Sequence, residues 1–370
     1  MIKSNPTQAI VYDLKAQMPN GESAKSLESL LGLFLQATGN IRLSHSKGKS
    51  ASSLSRYLNH YSWSTKALWG QLRRLQLEQL LGCRGRGRLL LRVIVDLTSI
   101  EKRGEFSELA PYMHTLDGKY GLHLVVVYMV IGKQRIPWSM RLWQGAGTAS
   151  PADLALQQIK HLPLCLTQQH RLIVLADGGY GSTAFVQGVK ALGLAAIVSM
   201  RADRKLEDKR QLKDIRYTQQ VYPTGLGFPV WATRFRLKGK QGKPGQWRHV
   251  VSTRPLSGKM IQRWGKRRWA IEAFFKTIKH RFGLHCFGQA TRLGVYRWFL
   301  FCVLAFTLAY QAHNQQNPQQ PWPDWQEASS LAIQLFLPDF LFLYLLSQLD
   351  SLNAIAHDFG LEVKLCNCKI

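Results

Sequence analysis

The sequence predicts a mixed α/β fold, a mixed sheet flanked by helices, on three observations. Two short runs, Leu89 to Val95 and Leu172 to Ala176, are almost wholly apolar, the pattern of strands buried on both faces. Leu122 to Ile131 and Arg135 to Leu142 read as a hairpin that turns at Gly132 and Lys133. Segments with helical spacing of apolar residues alternate with these runs, so that strand, hairpin, helix, strand, helix and strand follow in turn.

With 370 residues the chain is longer than the roughly 250 at which single cores stop growing. It divides into a helical region over 1–84, an α/β core over 89–199 and 256–313, a β-rich insertion over 200–255 and a C-terminal helical region over 314–370. In the first region Ser26 to Gln36 places Leu27, Leu30, Leu31 and Phe34 on one stripe, with Gly39 and Asn40 as its stop. A Ser- and Lys-rich linker, Ser44 to Ser53, precedes a short helix to Asn59. A longer helix from about Ser64 carries Leu68, Leu72 and Leu75, and its pattern weakens at Gln79. Two readings stand for this region: a helix-turn-helix whose Lys66, Arg73 and Arg74 meet phosphates, or a small helical bundle with solvated cations.

Gly85 to Arg88 punctuate the chain before the first buried strand, which the pattern ends at Asp96. Pro151 to His161 reads as a helix with Pro in its first turn. The second buried strand ends at Asp177, followed by a helix over Ser182 to Leu192 and a strand over Leu194 to Ser199. The charged stretch Arg201 to Arg216 and strand-like pieces at Val230 to Leu237 and Arg248 to Thr253 form the insertion. One long helix is expected from Met260 to Phe282, with Ile271, Phe275, Ile278 and Phe282 as its buried stripe. An apolar helix from Leu293 to His313 and a Gln/Pro linker, Asn314 to Trp325, complete the pattern. Trp298 to Tyr310 is too short to span a bilayer, and Leu331 to Leu349 is broken by Pro338 and Asp339, so both read as buried helices and no membrane is expected as partner.

Lys and Arg number 49 against 22 Asp and Glu, a net charge of +27, which makes nucleic acid the leading partner. The excess is uneven: residues 314 to 370 hold two basic and six acidic side chains. Six cysteines without a framework spacing read as reduced thiols, with Cys366 and Cys368 a single C-x-C pair. The first twenty residues contain no apolar signal core, which predicts a cytoplasmic chain.

Between Arg234 and Arg281 fifteen Lys or Arg surround one carboxylate, Glu272. On a helix, Arg268, Glu272 and Lys279 fall within about 40° of one another. Taken alone, Arg268 and Glu272 make an i, i+4 ion pair, and either strand-terminal Asp makes a cap or loop acid. Together, Asp96, Asp177 and Glu272 supply three hard oxygen donors of the kind Mg²⁺ takes, with cations beside them for phosphate. Gly178, Gly179 and Gly181 either form a tight turn or let a ligand approach; Trp231 and Trp247 either pack or stack on an unpaired base. His249, His285 and His313 share no metal spacing.

Three segments, V-I-V-D-L-T-S-I-E-K-R-G at Asp96, L-A-D-G-G-Y-G-S at Asp177 and R-R-W-A-I-E-A-F-F-K-T-I-K at Glu272, resemble the DDE transposases of bacterial insertion sequences. The resemblance covers about residues 89 to 290 and points to the insertion sequence four type, whose signature spaces Tyr, Arg, Glu and Lys. Arg268, Glu272 and Lys279 match; the Tyr position is Gly265, with Trp264 beside it. The resemblance implies a ribonuclease-H-like core, and the helix-turn-helix reading makes residues 1–84 an N-terminal DNA-binding region. It makes Asp96, Asp177 and Glu272 catalytic and metal-binding, with Mg²⁺ as cofactor and Mn²⁺ as its alternative. Arg268 and Lys279, joined by Arg267 and Lys276, would contact DNA. The implied activity is strand cleavage at insertion-sequence ends and transfer of the 3′-hydroxyl into target DNA, by a homodimer on paired ends of double-stranded DNA. A non-transposing metal nuclease and a catalytically silent, transposase-derived DNA-binding protein are the alternatives.

Overall fold

The computed structural model describes residues 9–104, 106–237, 245–317, 319–320 and 323–361; Cys366 and Cys368 lie outside them. The chain forms two units, one of the residues up to Leu72 together with those from Thr277 onward, the other of Arg73–Lys276. The first helices are α1 (Ala9–Ala16), α2 (Gly21–Gln36), α3 (Ala51–Asn59) and α4 (Thr65–Gly82). α2 begins a turn earlier than its leucine stripe suggests, because the Asn20 side chain caps it by accepting from the Ser23 amide at 2.8 Å. Leu68, Leu72, Gln76 and Leu80 form the buried stripe of α4. Its apolar pattern fades because Gln76 takes one of those positions and donates to the Pro137 carbonyl at 3.0 Å.

The Arg73–Lys276 unit holds a sheet that, among the described residues, has nine strands. They are β1 (Leu90–Glu101), β2 (Met113–Leu116), β3 (Lys119–Ile131), β4 (Gln134–Leu142), β5 (Arg171–Ala176), β6 (Ala195–Met200), β7 (Gln219–Val221), β8 (Val230–Arg236) and β9 (Trp247–Ser252). The order is β2-β3-β1-β5-β6-β9-β8-β7, with β4 also paired to β3. β1, β5 and β6 are parallel and the other pairings antiparallel. The expected mixed sheet is present, flanked by α5 (Pro151–Lys160), α6 (Leu164–Gln169), α7 (Thr183–Ala191), α8 (Gly258–Arg267) and α9 (Ala270–His280).

Four local expectations change. β1 does not end at Asp96 but runs on to Glu101, because β3 is long enough to pair it from Arg92↔Val130 to Glu101↔Gly121. β2, absent from the sequence reading, joins β3 through Asp117 and Gly118, both at positive φ, the turn chemistry of a two-residue hairpin. The segment over 200–255 supplies β7, β8 and β9, and these continue the same sheet from β6. The single helix expected over Met260 to Phe282 is two helices, with a tight turn at Arg268 and Trp269 where the Ile271 and Glu272 amides reach back three residues. The expected stripe lies wholly beyond that break: Ile271, Phe275, Ile278 and Phe282 are all buried, and Phe274 stacks on Tyr128 with centroids 4.8 Å apart.

The helical unit closes with α10 (Arg292–Gln316), α11 (Trp325–Phe336) and α12 (Pro338–Asp358). Pro338 ends the apolar run as expected and starts α12 at its first turn. α10 is long and apolar enough to cross a membrane, yet most of its apolar stretch is buried against α2, α3 and α11. Its Arg297 is 2% exposed and donates to the carbonyls of Tyr57, Leu58, Tyr61 and Trp63 at 2.8–3.0 Å, with its guanidinium 3.9 Å from the Trp63 ring. One side chain thereby satisfies two carbonyls in the last turn of α3 and two in the connection that follows it.

Two glycines test the geometry in opposite directions. Gly121, at φ +151, sits where an added Cβ would collide with the Ile100 carbonyl; Gly121→Ala is expected to cost about 1–3 kcal/mol in urea denaturation. Gly265 lies inside α8, where a Cβ would meet Val250 at an ordinary 3.5 Å; Gly265→Ala is expected to add about 0.5–1 kcal/mol.

Candidate active site

β1 and β5 run parallel in a register that pairs Val95 with Ala176, so the next residues along the two strands are Asp96 and Asp177. β5 stops there, and Asp177 turns the chain into a short 3₁₀ segment, its Oδ1 accepting from the Gly179 amide at 2.9 Å. The three glycines make that tight turn. An added Cβ at Gly181 would stand 2.8 Å from the Ser199 carbonyl, whereas one at Gly178 would meet nothing.

Asp96 is 7% exposed, and its Oδ1 accepts from the Leu97 amide at 2.9 Å. Its Oδ2 accepts from the guanidinium of Arg268, which also stands 3.8 Å from Glu272 Oε1. The break between α8 and α9 puts Arg268 at the junction, one turn before the exposed Glu272. Burial pushes the Asp96 carboxyl up to about 7; Arg268 opposes this, while the charges of Asp177 and Glu272 reinforce it. Both other carboxylates therefore act on Asp96, and the Arg268 guanidinium does not outweigh burial there.

A hard divalent cation suits this donor set chemically, since three carboxylates with surplus negative charge are what such an ion requires. As the side chains stand, however, among the described residues no three His, Cys, Asp or Glu are close enough to hold one ion. Arg268 occupies Asp96, Asp177 caps Gly179 and Glu272 leans on Arg268, so each acid is answered by a protein donor. Arg268, expected at phosphate, is thus bonded to carboxylate.

The remaining expected DNA contacts are dispersed. In the sheet unit, Arg267 stacks over Trp264 at 4.6 Å, and Lys276 and Arg74 are exposed. Arg73 is half-buried with its guanidinium 4.1 Å from the Trp138 ring, and burial lowers its pKa to about 10. In the helical unit, Lys66 is exposed, and half-buried Lys279 accepts a bond from His285 through its carbonyl. Trp247 is half exposed beneath the Arg234 guanidinium at 4.4 Å, and Trp231 is half-buried.

A family model described as Transposase DDE domain matches residues 88–308. The chain belongs to the DDE transposase family. No curated protein matches it in sequence. Among solved structures, this transposase is similar to the piggyBac transposase of a cryo-EM synaptic complex with hairpin DNA. The TM-score is 0.53 at 11% identity, over 92% of this chain and 77% of that one, which is a likeness of fold.

Two features of the transposase escaped the sequence reading. Tyr180 is buried, with no partner for its hydroxyl, and burial together with the charges of Asp96 and Asp177 raises its pKa well above the usual phenol range. Only its place three residues after Asp177 hinted at it. A groove of about 610 Å³ beside the glycine turn is lined by Arg201, Arg204 and Lys205, residues that read in sequence only as a charged stretch. Arg268→Leu is expected to lower the unfolding free energy of the transposase by about 3 kcal/mol, because it strands a buried carboxylate. Adding Asp96→Asn should restore at least about half of that in urea denaturation; no recovery would show that the pair is not what the first substitution disturbs.

Proposed function

We propose that this transposase cleaves one strand at the end of an insertion sequence and then joins the freed 3′-hydroxyl to target DNA. The observation that carries the reading is the register of β1 and β5, which sets Asp96 beside Asp177, with Glu272 linked to Asp96 through Arg268. The five strands β4-β3-β1-β5-β6 support a ribonuclease-H-like core. Asp96, Asp177 and Glu272 would hold Mg²⁺, with Mn²⁺ as the alternative, and the bound ion would supply Lewis-acid activation of the attacking oxygen and charge neutralisation at the phosphate. Arg268 is the residue that would exchange a carboxylate for a phosphate oxygen, a geometry its guanidinium suits equally well. Lys279, Lys276 and Arg267 would extend the phosphate contacts, and Lys66 and Arg74 on α4 would serve an N-terminal DNA-binding region.

In finer classification the spacing of Arg268, Glu272 and Lys279 supports the insertion sequence four type, with Gly265 in place of the signature tyrosine. The partners would be double-stranded DNA, both element ends and target, and a second copy of the chain, in the cytoplasm. A catalytically silent DNA-binding relative is the second reading. It is favoured by the ion pair that holds Arg268 on Asp96 and by the lack, among the described residues, of three gathered donors.

Nicking of an end-containing duplex separates the readings. Asp96→Asn, Asp177→Asn and Glu272→Gln are each expected to lower the cleavage rate by about three orders of magnitude or more while leaving DNA binding intact, and chelation should stop the wild type. Full cleavage by any one variant removes that residue from the site. No metal-dependent cleavage by the wild type would favour the silent reading.

A further inference from the structure

The sheet has a second basic concavity, at the opposite ends of the parallel strands. Arg171 opens β5, Arg88 lies just before β1, and Arg254 follows β9, whose last residues lie beside the start of β6. With Lys160 at the end of α5 these side chains line a cavity of about 360 Å³. No carboxylate lines it, and among the described residues none of the four cations forms an ion pair. Arg88 is fixed in place: its guanidinium donates to the Thr167 carbonyl and, at 2.7 Å, to the His170 carbonyl. Leu164 and Leu192 are exposed on its walls.

Four like charges around a hollow with apolar walls repel one another, and they focus a positive potential that an anion relieves. Solvated cations scattered on a convex surface would not do so. The cavity is also remote from the carboxylates. Arg171 and Asp177 stand at opposite ends of β5, six residues that span roughly 20 Å at about 3.3 Å each. A phosphate held here is not the one beside Asp96.

We propose that this cavity is a second DNA-binding site, taking backbone phosphates of a duplex segment other than the one at the carboxylates. It touches phosphate alone, so it does not discriminate sequence. The site rests on the charge and shape of the cavity and does not require the carboxylates to be catalytic.

The test compares the full-length wild type with Lys160→Glu/Arg171→Glu and with Lys213→Glu/Arg216→Glu, two exposed cations outside the cavity that give the same change in net charge. Fluorescence anisotropy on a duplex of arbitrary sequence is read across a salt series. The cavity variant is expected to bind with a slope of log K against log salt shallower by about two, one unit for each phosphate it no longer neutralises, while the control keeps the wild-type slope. Equal slopes in all three proteins, or equally shallow slopes in both variants, overturn the site. If inorganic phosphate shifts the melting temperature of the wild type but not of the cavity variant, and the DNA slopes are equal, the cavity holds a free anion and the DNA proposal fails. These readings are of binding, so they stand whether or not the protein cleaves.

Discussion

The double pairing of β1 is the constraint on which the sheet unit depends. On one side β1 runs parallel to β5 and stops sharing partners with it at Val95; on the other it stays antiparallel to β3 for six more residues. A strand held on both edges cannot slip, because a one-residue shift would exchange its two faces. Asp96 is thereby fixed at the point where one neighbour ends and the other continues. There a side chain can be buried by the strand yet reached from the open end of β5.

That position explains why the acid needs Arg268. A carboxylate buried in the sheet is costly unless a charge or donors answer it, and the chain answers with the Leu97 amide and with the guanidinium from the turn between α8 and α9. The turn is built for this: the helix breaks at Arg268 and resumes at Ala270, while buried Ile261 and Trp264 anchor the piece before it and buried Ile271 and Phe274 the piece after. The arginine is placed by packing and tied to its acid.

Much of this was legible in the sequence, and the gaps have physical causes. The apolar runs over 89–95 and 172–176, the hairpin and the stripe on α9 are patterns that burial alone dictates, and each is found in the fold. The far half of β1 was hidden because Leu97 to Glu101 mixes polar and apolar residues, and only the length of β3 tells the chain to continue. The continuation of the sheet through β7, β8 and β9 was hidden for a related reason: pairing partners across a long loop leave no local mark. Of the site, the identity of the acids was visible from their chemistry, but the present partner of Arg268 was not. Spacing along a helix pairs Arg268 with Glu272, whereas the closer contact is to an acid 172 residues away. Tyr180 was missed because a buried hydroxyl without a partner is a property of packing.

The order of the units along the chain bears on how the protein is made. The helical unit is built from both ends of the sequence, and α2 packs its apolar stripe on α10 and α11. During synthesis, at about 5–20 residues per second, α2 emerges tens of seconds before the first residue of α10. The sheet unit, continuous from Arg73 to Lys276, is complete in that interval. The leucines of α2 spend it with only α1 and α3 of their partners made, which leaves the nascent helical unit a face for a chaperone to shield.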